Sequence, residues 1–146
     1  MSQLTRRSAF SITGAATLAA LVPAAALAQT HAAKNKVVFQ VSDGDPQKWN
    51  LALNNAKNLQ DDLGSDDVDL EIVAYGPGIG MLKGDSPVAA RIAAAVKGGV
   101  KIVACENTMR GQKLVVADML PTIGYVPAGV VELMKKQQQG YAYIRP

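Results

Sequence analysis

The chain has one cysteine, one histidine and only 5% aromatic residues in 146 positions. Each scarcity excludes a class of protein. A single Cys cannot build an internal disulfide framework, and a single His cannot build a His-rich metal site. Hydrolytic nucleophiles need a base within reach, and His31 belongs to a polar lead-in before the first strand. One Cys and scattered carboxylates do not supply the three or four ligands a metal needs, so no metal and no cofactor is expected. Few aromatics leave little surface on which bases could stack. Charged residues make up 18% of the chain and hydrophobic ones 49%, too apolar for disorder. The length suits one domain. There is no internal repeat, and Gln137-Gln138-Gln139 reads as the solvated end of a helix.

The formal charge is +3, which taken alone points to an acidic partner such as nucleic acid. Its location removes that inference. Residues 1–28 read as an export signal: Arg6-Arg7 without a nearby acid, an Ala-rich apolar stretch from Ala15 to Ala25, then Ala26-Leu27-Ala28 as a cleavage site. Thr5-Arg6-Arg7-Ser8-Ala9-Phe10 is similar to a twin-arginine motif, with the Phe one place later than usual. Ordinary Sec export is the alternative route. The stretch falls short of the about 20 strongly apolar residues of a membrane span, so no stable span is expected once the signal is removed. Removal takes Arg6 and Arg7 and no acid, leaving 13 basic against 12 acidic residues. The working domain is nearly neutral, a periplasmic location is expected, and no nucleic-acid partner is.

Residues 29–35 form the lead-in, and 36–146 the domain. Lys36 to Val41 is a β-branched run of strand length. Asp45-Pro46 signals a helix start, and Trp49, Ala52, Leu53, Ala56, Leu59 and Leu63 recur on one helical face as far as Gly64. Val68 to Tyr75 is the second strand; Asp69 and Glu71 alternate with apolar residues, which predicts one exposed face near its start. Ser86-Pro87 precedes a helix with Val88, Ile92, Ala95 and Val96 on its core face. Val100 to Ala104 is the third strand, and Thr108 to Leu120 reads as a helix with a break at Gly111. A short strand over Ile123 to Val126, a helix over Val130 to Gln139 and a strand over Tyr141 to Ile144 complete the chain. The alternation predicts an α/β fold: a small, mostly parallel five-stranded sheet with helices on both faces, flavodoxin-like. Lys135-Lys136, Lys97 and Lys101 read as solubilising charges.

In such folds reacting groups gather at the carboxyl ends of strands, and Cys105 ends the third. Asn107 reads as an N-cap, which puts the thiol beside a helix start where backbone N–H groups favour a thiolate. At a reference pKa of about 8.5 only ~3% is thiolate at pH 7; a one-unit drop makes it ~25%. Glu106 opposes that drop and Arg110 is a candidate to offset it. Gly76-Pro77-Gly78-Ile79-Gly80 follows the second strand, but it is neither a Walker A nor a dinucleotide fingerprint. Its simplest reading is a tight turn beside the neighbouring strand end.

Together, Tyr75-Gly76-Pro77-Gly78, Asp85-Ser86-Pro87-Val88-Ala89, Ala104-Cys105-Glu106-Asn107-Thr108-Met109-Arg110 and the tail Gly140 to Pro146 resemble the DsrE/DsrF-like family. The resemblance covers about Lys36 to Pro146. It implies a compact α/β subunit assembling into trimers or hexamers. It also implies a Cys after the third strand, here Cys105, that carries sulfur as a persulfide in relay members. Asn107 and Thr108 match a Cys-x-Asn-Thr-Met pattern of less characterised relatives. Two departures stand out: the well-understood relays are cytoplasmic with dissimilar subunits, and Glu106 sets a negative charge beside the thiol. The expectation is an exported sulfur-handling protein, at most a sulfurtransferase. In it Cys105 passes sulfane sulfur to an acceptor thiol, with Asn107, Thr108, Arg110, Gly76 and Gly78 in support. The competing expectation is a non-catalytic oligomeric binding protein in which Cys105 is a packing residue.

Overall fold

The computed structural model describes residues 35–146. The export signal, the twin-arginine motif and His31 lie outside the described residues. Strand β1 (Asn35–Val41) leads into α1 (Pro46–Leu63), followed by β2 (Val68–Ala74), α2 (Ala89–Lys97) and β3 (Lys101–Cys105). Then come α3 (Glu106–Gly111), β4 (Gly124–Val126), α4 (Gly129–Gln138) and β5 (Ala142–Ile144). Local sequence accounts for the first helix. The Asp45 side chain accepts from the Gln47 N–H at 2.8 Å, Pro46 occupies the first turn, and Trp49, Ala52, Leu53 and Ala56 are buried. Trp49 is a core residue whose indole N–H donates to the Asp43 carbonyl at 2.7 Å.

All four strand pairings are parallel, in the order β4-β3-β2-β1-β5. That order explains the layers. The first three crossovers step in one direction, and right-handed connections then put α1 and α2 on the same face. The last crossover reverses and returns to the far side of β1, so α4 lies on the opposite face. Helices therefore cover both faces, unequally. The order also refines the flavodoxin-like expectation: β1 lies between β2 and β5, whereas the flavodoxin order sets it between β2 and β3.

The face under α1 and α2 holds the main core, including Phe39, Leu70, Ile72, Ile79, Met81, Leu82 and Ile92. On the other face Leu133 of α4 packs with Val38, Val73 and Tyr141. One buried Leu is worth about 2 kcal/mol, so polar contacts must help hold α4. They do: the Lys136 ammonium lies 2.7 Å from Glu71 and 3.8 Å from Glu132. This corrects two expectations. Glu71 is buried at 4% exposure because α4 covers it, and Lys136 is an anchor, not a solubilising charge.

The helix expected over Thr108 to Leu120 is also shorter. It stops at Gly111, Lys113 takes a left-handed φ of 57°, and the Leu114 N–H closes on the Met109 carbonyl at 2.8 Å. The chain then runs through a 3-10 turn at Val116–Asp118, and the Leu120 N–H bonds the Leu82 carbonyl at 2.9 Å. Among the described residues no helix is long and apolar enough to cross a membrane.

Candidate functional site

Cys105 is the last residue of β3 and the N-cap of α3. It takes the place expected of Asn107, because α3 starts one residue past the strand with no loop between. The thiol is free and buried, at 5% exposure. Three pieces of chain converge on it. The first is α3, whose Thr108 brings both its hydroxyl and its N–H to the sulfur. The second is the start of α4, where the Gly129 N–H also faces the sulfur. The third is the 3-10 segment Gly76–Leu82 after β2, whose Gly76 N–H donates to the Thr108 hydroxyl oxygen at 2.9 Å.

These contacts act against burial. Burial pushes the Cys105 thiol up, but the Thr108 hydroxyl, then the N–H groups of Gly129, Thr108 and Asn107, outweigh it. The thiol therefore sits below its ordinary value. The Asn107 N–H is also given to the Pro127 carbonyl at 3.2 Å. A sulfur among donors is set up to hold negative charge, which a thiol acting as hydrophobic filler does not require.

The expected supporting residues divide. Gly76 is joined to Thr108, and Thr108 in turn acts on Cys105. Asn107 reaches the sulfur only through its backbone, and its side-chain oxygen accepts from Arg110. Arg110 is exposed and occupied with Asn107, so the charge expected to offset Glu106 is engaged elsewhere. Gly78 packs on the end of β1, bonding the Ser42 and Tyr75 carbonyls at 3.2 and 3.1 Å. Its role is structural.

Two further residues belong to the site, and the sequence reading did not assign them there. Gly129 lets α4 approach β2: a Cβ there would lie 3.1 Å from Tyr75 Cβ and Cδ1 and 3.2 Å from Val73 Cγ1. Tyr75 is half-buried beside the thiol, and burial, Tyr143 and Cys105 raise its phenol above the usual range. It remains a proton donor at neutral pH. The signal for Gly129 was a Gly at a helix start after β4, legible only once α4 is known to cross back over the sheet. Gly129→Ala should lower stability by about 1–2 kcal/mol, read as an earlier urea midpoint. The helix start would shift away from the sulfur.

Comparison with known proteins bears directly on this arrangement. The model of the DsrE/DsrF-like family matches residues 35–146, the whole of the described domain. The chain belongs to the DsrE/DsrF-like family. Its fold recurs in a protein of unknown function, MTH1491, from Methanobacterium thermoautotrophicum. That structure is 35% identical with a TM-score of 0.73, over 77% of this chain and 99% of the other. Similar folds occur in BT1422 from Bacteroides thetaiotaomicron and ychN from E. coli. Both are 15% identical, with TM-scores of 0.64 and 0.60, over 77% of this chain and 95% and 99% of theirs. No curated protein matches. Membership of the DsrE/DsrF-like family suggests a role related to sulfur relay, and Cys105 is the one thiol in the chain that could serve it.

Proposed function

We propose that this chain is an exported sulfur carrier in which Cys105 takes up sulfane sulfur as a persulfide and passes it to an acceptor thiol. The observation that carries the reading is the set of donors on the Cys105 sulfur at the carboxyl end of β3. The Cys105 thiolate attacks the sulfane sulfur of a polysulfide or persulfide. A new S–S bond forms, the donor's S–S bond breaks, and the donor leaves as a thiolate one sulfur shorter. An acceptor thiolate then attacks the outer sulfur, and Cys105 leaves as thiolate. No net oxidation occurs and no second Cys is needed. The persulfide sets its transferable atom about 2 Å from Sγ.

Arg6-Arg7, the apolar stretch and Ala26-Leu27-Ala28 support export to the periplasm. Assembly into a homo-oligomer, trimeric or hexameric, is part of the proposal. Val130, Val131 and Met134 of α4 and Tyr143 and Ile144 of β5 are exposed apolar side chains that a second copy would cover. A monomer by light scattering at micromolar concentration contradicts that part.

The test is mass spectrometry of the mature protein after polysulfide treatment. The Cys105 peptide should gain the mass of one sulfur atom and lose it to an added thiol, and Cys105→Ser should do neither. No gain on Cys105, or transfer unchanged in Cys105→Ser, overturns the reading. The 5% exposure favours one competitor, a structural thiol in a non-catalytic binding protein. Native Cys105 that reacts with small electrophiles only after denaturation would establish that competitor.

A further inference from the structure

Strand β4 pairs with β3 only from Val103 onward, through Gly124, Tyr125 and Val126. Lys101 and Ile102, which open β3, therefore have no strand beside them on that side. Successive strand residues bond to opposite sides, so one of the two turns its N–H and carbonyl to a gap. The gap is a cleft of about 420 Å³ whose walls include Glu71, Lys101, Ile102, Val103, Thr122 and Ile123. Its size suits a small molecule. It lies at the amino end of β3, about 13 Å along the strand from Cys105.

Glu71 is in register with Lys101, so both side chains leave the same face of the sheet, and both border the cleft. One Glu71 oxygen, Oε2, takes the Lys136 ammonium at 2.7 Å. The other, Oε1, is enclosed and accepts from no described residue. A buried acceptor left empty is costly and calls for a donor. The terminal torsion of a Glu is soft, so a small turn brings Oε1 to the cleft while Oε2 keeps Lys136. Charge points the same way. Glu71, Glu132 and Asp69 are met by two ammoniums, Lys136 at 2.7 and 3.8 Å and Lys101 at 2.9 Å. The set is one cation short, and Lys36 is turned to the Tyr141 ring, 5.8 Å from its centroid.

We propose that this cleft binds a small primary ammonium with a short apolar body, its ammonium donating to Glu71 Oε1. The single free oxygen decides the class. A guanidinium fork matches both oxygens of a carboxylate, and here Lys136 holds one of them. An ammonium is a point donor that needs only one. Its remaining hydrogens meet the open carbonyl of β3 and the Thr122 hydroxyl, while its chain lies on Ile102, Val103 and Ile123. The site is independent of the sulfur chemistry, so its failure leaves the carrier reading as it stands.

The experiment titrates the mature protein with n-butylammonium and follows the amide NMR signals of Ile102, Ile123 and Gly124. Saturable shifts are expected with a Kd of about 1 mM, ordinary for so small a ligand. 1-Butanol, of the same length and without the charge, should bind about tenfold more weakly. Glu71→Gln should weaken butylammonium by a similar factor and leave butanol unchanged. Equal binding of butylammonium and butanol overturns the proposal, and so does undiminished binding by Glu71→Gln. The first comparison needs no variant and decides the matter if Glu71→Gln fails to fold. The absence of saturable shifts up to about 100 mM, far above the expected Kd, overturns it as well. So does a Glu71 carboxyl carbon signal in its protonated position at neutral pH and unmoved by butylammonium, since a bound proton then supplies the missing charge.

Discussion

Lys136→Met should destabilise the fold by about 3–5 kcal/mol, the range for removing one partner of a buried ion pair. The side chains of Lys136 and Glu71 are 12% and 5% exposed and 2.7 Å apart. The second Glu71 oxygen has no hydrogen-bond partner, so removing the ammonium leaves a carboxylate with nothing to offset its burial. The surroundings sharpen the effect. Glu132 adds a second negative charge from α4, and burial, the largest influence, already holds the Glu71 carboxyl above its usual range. The Lys136 ammonium, although burial works against it, is raised by Glu71, then Tyr141 and Glu132. It also lies 4.8 Å from the Tyr141 ring, whose hydroxyl bonds Asp69. Lys136→Met/Glu71→Gln should recover most of the loss, because neither buried charge then remains. The pH dependence has a definite sign. In Lys136→Met the folded state binds a proton at Glu71 at a pH where the unfolded chain does not. Stability must then rise as pH falls through the raised Glu71 value towards 4.5. Urea unfolding of the three proteins across mildly acidic pH measures both effects. A single variant within 1 kcal/mol of the parent would mean that α4 does not depend on this pair.

That network shows which parts of the molecule the sequence revealed. Strand and helix positions followed from local patterns: β-branched runs, the Asp45-Pro46 start, the Trp49 to Ala56 face. These are short-range properties and were legible. Lys136 and Glu71 were misread for a physical reason. Each looks solvated in its own element: a Lys beside another Lys near a helix end, a Glu alternating with apolar residues. Their burial is decided by the reversed last crossover, a property of strand order that no local period encodes. The site divides in the same way. Cys105 at a strand end was visible from spacing, and the likeness of the surrounding segments added Thr108. The Gly129 donor and the link from Gly76 to Thr108 join residues on different elements, so they required the topology. Arg110 was misassigned because a charge three residues from Asn107 on a helix meets Asn107 first.

Gly78→Ala should be more disruptive per atom added than any change at the sulfur itself. A Cβ at Gly78 would lie 2.2 Å from the Val41 carbonyl oxygen, 2.7 Å from its carbon and 3.0 Å from Ser42 Cα. All three are backbone atoms at the end of a central strand, so no side chain can rotate aside. Either the 3-10 segment lifts off β1 or the end of β1 distorts. Both break the bond from the Gly78 N–H to the Ser42 carbonyl. We expect a loss of about 3 kcal/mol or more, the upper end for inserting a methyl where nothing can yield. The consequence reaches the thiol, because Gly76 is two residues away and supplies the N–H that orients Thr108. The surviving folded protein should therefore show a Cys105 titration shifted upward, because the Thr108 hydroxyl that helps lower it loses its Gly76 partner. Gly111→Ala is the control. Nothing lies within 4 Å of a Cβ there, and its φ is not left-handed, so the change should be neutral or stabilise by up to about 1 kcal/mol. If Gly78→Ala unfolds at the same urea concentration as Gly111→Ala, the 76–82 segment is not pinned to β1 and its hold on the sulfur through Thr108 is lost with it.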